Sequence, residues 1–250
     1  MRDVILKLED VYEGDLILVN PQFPYRQKVD IELVSVDEKN PQVLMEAKSA
    51  AVLRQVLAKV GAEQQIIAVS GWRSQQEQIQ IFEDSLAQNG REFTEKFVAL
   101  PNCSEHQTGL AIDLALNQPD IDFLCPEFPY NGICQAFREE AVLWGFIERY
   151  PEGKKAVTSI GHEPWHFRYI GAPHAQIMAQ RGLVLEEYHE LLKSHPQRQR
   201  PLLFEHKGGR ARISYVPAAG EKTVLTLPQE SCYELSGNNM DGFIITLWEG

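Results

Sequence analysis

Hydrophobic positions recur along the chain with two different periods, which together predict a mixture of helices and strands. Apolar residues between positions 41 and 60 return at helical spacing, so we expect an amphipathic helix there that ends at Gly61. A further helix is expected over residues 75–88, because Ser74 followed by Glu77 matches the capping box that opens many helices. Helical patterns also cover residues 136–144 and 172–192.

Strand-like patterns lie between these helices. Apolar residues alternate with small ones over residues 110–116, and Asp113 is the one carboxylate in that run. A short apolar run at residues 66–69 and an aromatic-rich run at 161–170 predict two more strands. Asp113 is hard to explain as a solvated surface residue in such a context.

The composition of the chain changes after Ser194. A polar, proline-bracketed stretch is followed by short β-like segments at residues 211–216, 223–227 and 243–248. We therefore predict an α+β fold with a central antiparallel sheet flanked by helices and a small β-rich C-terminal extension. The predicted domains are residues 1–197, which carry the candidate chemistry described below, and residues 198–250.

Composition narrows the class of protein. Of the 250 residues 44% are hydrophobic and 24% charged, which is ordinary globular usage. The formal net charge of -11 predicts a surface that repels phosphate backbones, so no nucleic-acid partner is expected.

We expect no signal peptide in the N-terminal residues, because charged residues interrupt their apolar pattern. No later stretch reaches the length of a membrane span, so we expect a cytoplasmic protein with no membrane segment. The four cysteines are scattered singly, which in a reducing compartment predicts thiols, although a Cys125–Cys134 disulfide is compatible with their even number.

Two segments contain the residue types that a catalytic zinc needs. The first reads Ser104-x-His106-x-x-Gly109-x-Ala111-x-Asp113, and the second reads Glu163-x-x-His166. Catalytic zinc takes three nitrogen or oxygen ligands and keeps a fourth position open for water. A further glutamate beside that position can accept a proton from the water. The segments therefore predict one Zn²⁺ held by His106, Asp113 and His166, with Glu163 as the general base.

A competing interpretation is that residues 162–166 form the helical H-E-x-x-H zinc motif. Pro164 argues against it, because proline inside a helix costs roughly 3 kcal/mol. The aromatic residues that follow favour a strand instead. On a straight strand Glu163 and His166 would point to opposite faces, so we expect a bulge or bend near Pro164 that turns both towards one cleft.

These motifs resemble the zinc D-alanyl-D-alanine peptidases, a family that includes the vancomycin-resistance D,D-dipeptidases and D,D-carboxypeptidases within the lysostaphin-like metallopeptidase group. The resemblance covers residues 70–169. It implies the same three metal ligands and the same base. It also implies that Arg73, in the Gly-aromatic-Arg-Ser segment, stabilises the oxyanion, and that Gln78 and Ser104 contact the substrate. Trp72 replaces the commoner tyrosine of that segment.

The resemblance implies an enzyme that hydrolyses D-Ala-D-Ala, or removes the terminal D-Ala of peptidoglycan precursor pentapeptides, and so depletes the target of vancomycin. Cleavage of the L,D or endolysin type, or non-catalytic binding of cell-wall peptides, remains an alternative. His162 is interpreted either as a loop residue or as one that orients Glu163. The oligomeric state stays open.

Overall fold

The computed structural model describes residues 1–26, 30–37, 40–197, 199–206 and 209–249. Within this part of the chain the α-helices are α1 Ala47–Val60, α2 Gln75–Phe97, α3 Gly132–Leu143, α4 Lys155–Thr158, α5 Ala172–Arg181 and α6 Leu185–Lys193. The strands are β1 Arg2–Lys7, β2 Leu33–Asp37, β3 Asn40–Glu46, β4 Ile66–Ser70, β5 Ala111–Leu116, β6 Phe146–Tyr150, β7 Glu163–Tyr169, β8 Leu202–His206, β9 Gly209–Pro217, β10 Lys222–Leu227, β11 Cys232–Gly237 and β12 Gly242–Glu249. Two 3-10 helices, Leu8–Tyr12 and Glu105–Thr108, complete the set.

The chain divides into two compact units. One is Val19–Val184, and the other combines Met1–Leu18 with Leu185–Gly250. This division differs from the predicted domains in where it assigns residues 1–18 and 185–197. The predicted boundary itself stays a prediction, and Arg198, where the second domain would begin, lies outside the described residues.

A four-stranded antiparallel sheet forms the centre of the unit Val19–Val184. Its strand order is β4-β5-β7-β6, and β2 and β3 form a separate antiparallel hairpin. Side chains of the sheet pack with those of α1 and α3 in one buried cluster that includes Leu53, Ile112, Phe137 and Phe167. The predicted α+β fold with a central antiparallel sheet flanked by helices is confirmed.

All four predicted helices have different limits in the structure, and α3 begins at Gly132 rather than at residue 136. Residues 40–46 form β3 and the helix begins only at Ala47, because alternate side chains at Val43 and Met45 are buried in the hairpin's register. Helix α2 continues to Phe97 across a kink at Gly90. The predicted helix at residues 172–192 is two helices, since Gly182 adopts a left-handed conformation that ends α5.

The unit formed by Met1–Leu18 and Leu185–Gly250 is mostly β-structure. Strands β11-β12-β9-β8 form an antiparallel sheet, and β1 pairs with β10 in a second. Apolar side chains such as Leu6, Val11 and Phe243 are buried between these elements. The predicted β-rich C-terminal extension is thus confirmed.

All four cysteines are free thiols. Among the described residues, none of the helices combines the length and the apolar character that crossing a membrane requires.

Candidate metal centre and active site

The central sheet brings two of the candidate ligands together through its register. Asp113 in β5 lies directly opposite His166 in β7 and is paired on its other side with Ser70 in β4. Residues directly opposite each other on neighbouring strands share one face of the sheet. The Asp113 Oδ1 atom is consequently 2.9 Å from the His166 Nδ1 atom.

The third candidate ligand comes from the 3-10 helix Glu105–Thr108, which ends at Gly109 in a left-handed conformation just before β5. The His106 Nδ1 atom is 2.7 Å from the Gly71 carbonyl oxygen. A carbonyl oxygen only accepts hydrogen bonds, so Nδ1 carries the proton and Nε2 keeps its lone pair. That Nε2 atom is 3.1 Å from Asp113 Oδ2.

The turn after β4 fixes this backbone contact. The Trp72 N–H donates a hydrogen bond of 2.6 Å to the Leu44 carbonyl, so the turn packs tightly against β3. A Cβ atom on Gly71 would lie only 2.1 Å from that same carbonyl oxygen. Glycine is therefore required at position 71, because a side chain there would clash with the Leu44 carbonyl and displace the Gly71 carbonyl that orients His106.

The structure thus brings His106, Asp113 and His166 to one point, with a ligand atom from each lying within 4.8 Å of the others. All three side chains are buried, as is Glu163. The Glu163 Oε2 atom is 3.7 Å from His166 Nδ1, so the predicted base lies beside the predicted ligands.

The bend predicted near Pro164 is present as a change of register. β6 and β7 pair regularly from Phe146 to Glu148, and the register then shifts before Tyr150 pairs with Glu163. Glu163 and His166 both line the same cleft, although they are three residues apart on a strand. The helical interpretation of residues 162–166 is wrong, since β7 begins at Glu163.

Arg73 lies at the corner between β4 and α2. Its Nε donates to the Ser70 hydroxyl at 2.9 Å, its Nη2 to Asp113 Oδ2 at 3.0 Å, and its Nη1 to Gln78 Oε1 at 3.4 Å. The guanidinium lines the cleft, as Ser104 does. Gln78 is fully buried and its Nε2 donates to the Ala99 carbonyl at 2.8 Å. Its side chain therefore supports Arg73 from the protein interior.

Burial and neighbouring charges shift the pKa values in this cluster. Burial, together with the Arg73 charge, lowers the pKa of His106 to about 4, which keeps its imidazole neutral. Burial opposes ionisation of Asp113, but contacts with His106 and His166 hold its pKa well below the usual range. Burial also acts to lower the pKa of His166, but the hydrogen bond that its Nδ1 donates to Asp113, together with the nearby carboxylates of Glu105 and Glu163, outweighs burial and raises the pKa to about 9.

Glu163 behaves differently from Asp113. Burial raises its pKa to about 8, and Asp113 adds to the rise, while His166 and Arg73 oppose it. A carboxyl group with a pKa near neutrality in a cleft is suited to accepting and returning a proton.

A buried ion cluster behind the site is a feature that the motifs do not predict. Glu105 Oε1 accepts a hydrogen bond of 2.8 Å from Arg149 Nε and lies 3.1 Å from Arg168 Nη1. The other oxygen, Oε2, faces His166 Nε2 at 3.9 Å, and neither of these two atoms has a hydrogen-bond partner among the described residues. Arg168 could have been found from strand periodicity, because it lies two residues after His166 and so shares its face.

Three comparisons place this chain among known proteins. Residues 42–172 match the model of a family described as VanY, D-alanyl-D-alanine carboxypeptidase. A bifunctional D-Ala-D-Ala dipeptidase and carboxypeptidase, VanXYC of Enterococcus gallinarum, is 40% identical over 179 residues, which are 71% of this chain and 94% of the relative.

Two solved structures extend the similarity. The vancomycin-resistance D,D-dipeptidase VanXYg, in complex with a D-Ala-D-Ala phosphinate analogue, is 46% identical, has a TM-score of 0.97 and aligns over 99% of both chains. An E175A mutant of the D,D-pentapeptidase VanY from a VanB-type resistance cassette, in complex with Zn(II), is 30% identical, with a TM-score of 0.61 over 71% of this chain and 99% of that one.

Proposed function

Because the chain belongs to the VanY family of D-alanyl-D-alanine carboxypeptidases, we propose that it is a zinc-dependent D,D-peptidase. It hydrolyses the dipeptide D-Ala-D-Ala, removes the terminal D-Ala of peptidoglycan precursor peptides, or does both. The relatives named as a D,D-dipeptidase and as a bifunctional enzyme support this range of substrates.

One observation carries the proposal: three buried ligands converge beside a buried glutamate and an arginine. The ligand atoms lie within 4.8 Å of one another, and Glu163 is 3.7 Å from His166. A peptide-binding module needs neither a base nor a group that stabilises an oxyanion, so this combination favours an enzyme.

The donor set fits zinc. Two imidazoles and one carboxylate leave a fourth coordination position open, as catalytic zinc sites do. The neutral state of His106, whose Nδ1 proton is donated to a backbone carbonyl, leaves Nε2 available as a ligand. When bound at His106, Asp113 and His166, one Zn²⁺ per chain supplies Lewis-acid chemistry, polarising a carbonyl and increasing the acidity of water.

The chain's own residues supply the proton transfer and the charge stabilisation. The Glu163 carboxylate accepts a proton from the attacking water and returns it to the leaving amine. The Arg73 guanidinium, held by Ser70, Asp113 and Gln78, stabilises the negative charge that develops on the carbonyl oxygen. Ser104 lines the cleft as a substrate contact, and the contacts of Gln78 favour a supporting role through Arg73.

Removal of D-Ala-D-Ala termini would deplete the target of vancomycin, so a contribution to resistance is part of the proposal. A cytoplasmic location, the absence of a nucleic-acid partner and the division at residues 197/198 stay predictions from the sequence.

An assay of the purified chain with three peptides tests the substrate class. We expect hydrolysis of D-Ala-D-Ala, of a pentapeptide ending in D-Ala-D-Ala, or of both, no hydrolysis of L-Ala-L-Ala, and loss of activity with a zinc chelator. Hydrolysis of the L,L peptide alone would contradict the substrate assignment. Metal analysis by atomic emission should give one zinc per chain.

Glu163→Gln tests the role of the base. The amide fills the same volume but accepts no proton, so we expect kcat to fall by about 10²–10⁴-fold while one zinc per chain is retained. The matched control is Glu139→Gln, an exposed glutamate on α3, which should leave kcat unchanged. If Glu163→Gln kept kcat within a few-fold of wild type, another residue would have to be the base.

A further inference from the structure

The guanidinium of Arg138 on α3 has a hydrogen-bond acceptor for each of its five N–H groups. The side chain is 9% exposed. Its Nε donates to Glu148 Oε2 at 2.9 Å, and the other donors reach four backbone carbonyls, those of Pro129 at 2.8 Å, Cys134 at 3.5 Å, Phe128 at 2.7 Å and Pro164 at 2.7 Å. Arg138 therefore links α3, β6, β7 and the loop before α3.

One of these carbonyls belongs to the residue that follows the proposed base. Pro164 is the second residue of β7, directly after Glu163, and its carbonyl is held by a charged donor. Hydrogen bonds from charged donors are shorter and stronger than neutral ones. This contact fixes the backbone on the C-terminal side of Glu163.

The backbone on the other side of Glu163 is held by the same loop. The His162 ring stacks on the Tyr130 ring, with centroids 5.8 Å apart and an interplanar angle of 15°. The Tyr130 hydroxyl lies 2.6 Å from His162 Nε2 and also donates to Glu148. Glu163 is thus bracketed by two neighbours, each attached to the cluster of Arg138, Tyr130 and Glu148.

The contacts on both sides of Glu163 lie at the register shift between β6 and β7. The shift falls between Glu148 and Tyr150, and Glu148 accepts hydrogen bonds from both Arg138 and Tyr130. Regular alternation along β7 would turn Glu163 away from the face of His166. The contacts around Arg138 hold the irregular backbone that brings the carboxylate into the cleft.

The loop anchored by Arg138 also forms part of the cleft wall. Phe123 and Leu124, in the loop that leads to Phe128 and Pro129, line the cleft. The Phe123 ring centroid lies 5.7 Å from the Arg73 guanidinium carbon. Arg138 thus contacts both the backbone next to Glu163 and the loop that forms the cleft wall beside Arg73.

We propose that Arg138 is a positioning residue for the hydrolytic reaction. It orients Glu163 through the Pro164 carbonyl and fixes the loop that places Phe123 in the cleft wall. This inference rests on the proposed function. If Arg138 only stabilised the fold, its loss would lower stability without a specific effect on turnover.

The test uses the zinc-loaded full chain with Arg138→Lys and Arg138→Met. Because an error of about 1 Å in a reacting group can cost about 10²-fold in rate, we expect kcat for D-Ala-D-Ala to fall by about 10–100-fold in Arg138→Met. Zinc content should stay at the wild-type value, and Arg138→Lys should recover part of kcat. The matched control is Glu140→Gln on the same helix, which weakens the bond from Trp144 Nε1 and should lower stability without changing kcat.

A second variant guards against failure of Arg138→Met to fold. Tyr130 is exposed, so Tyr130→Phe should fold, keep the ring that stacks on His162, lose the hydroxyl contacts to His162 and Glu148, and lower kcat by about 3–10-fold, less than a full misplacement would cost. Folded variants at both positions with wild-type kcat and KM would overturn the inference.

Crystal structures of Arg138→Lys and Tyr130→Phe separate this inference from the proposed function. We expect the Glu163 carboxylate to move relative to His166 in both. If wild type hydrolysed no peptide the proposed function would fail, and the position of Glu163 in these variants would still decide the inference. An unmoved carboxylate would refute it.

Discussion

At the scale of single residues, Glu105 shows how the fold surrounds the candidate metal site with buried charge. Its carboxylate is shared by Arg149 and Arg168, and all three side chains are fully buried. The two guanidiniums hold the Glu105 pKa well below its usual range, although burial acts in the opposite direction. A buried ion cluster of this kind adds little net stability over apolar packing, but removal of one member is costly.

We therefore expect Glu105→Gln to lower the free energy of unfolding of the metal-free protein by about 3–5 kcal/mol, the usual cost of breaking a buried ion pair. Urea denaturation followed by tryptophan fluorescence would measure it. Glu95→Gln is the control, because its ion pair with Arg91 is exposed and should be worth under about 1 kcal/mol. Similar losses in the two variants would contradict this account.

The sequence predicts the site residues that belong to compact motifs. His106, Gly109 and Asp113 lie within eight residues, so one turn and one strand fix their relation, and strand alternation singles out Asp113. Arg138 could not be found in this way. Four of its five partners are backbone carbonyls, which leave no signature in the identity of the residues that carry them.

At the scale of elements, the start of α2 follows the sequence closely. The Ser74 hydroxyl accepts a hydrogen bond from the Glu77 N–H, and the Glu77 carboxylate accepts one from the Ser74 N–H. The predicted capping box is thus confirmed. Helix limits were less predictable where two periods overlap. Residues 41–46 satisfy both a helical and a strand pattern, and pairing with β2, which only the fold provides, decides for the strand.

The cap and the site are adjacent, so Ser74→Ala distinguishes helix stability from the placement of Arg73. We expect a loss of about 1 kcal/mol in the free energy of unfolding, measured by urea denaturation. We expect kcat to stay within about two-fold, because Arg73 has three side-chain contacts of its own that do not involve the cap. Ser74→Asp should restore stability, since aspartate caps equally well. A ten-fold fall in kcat for Ser74→Ala would mean that the cap itself positions Arg73.

At the scale of the whole molecule, the pairing of β1 with β10 joins Arg2–Lys7 to Lys222–Leu227. Local patterning cannot predict such a pair, because strand register is specified by the partner and by the face that is buried. The partners of the N-terminal strand lie more than 200 residues further along the chain, for example Leu227 opposite Arg2.

Zinc should also contribute to the stability of the folded chain, because the ligand set exists only in the folded state. At a free zinc concentration 1,000-fold above the dissociation constant, binding adds about 4 kcal/mol to the free energy of unfolding. At about 2–4 °C per kcal/mol for a chain of this size, the melting temperature should rise by about 8–16 °C on zinc loading. Calorimetry of chelated and zinc-loaded protein measures this rise.

Two histidine variants show whether the rise comes from the proposed centre. His166→Ala should abolish most of the rise. His195→Ala should retain it, because among the hydrogen bonds described the wild-type His195 Nδ1 atom contacts only the nearby Arg200 carbonyl. An equal rise in both variants would mean that zinc binds elsewhere on the chain, and the proposed centre of His106, Asp113 and His166 would have to be abandoned.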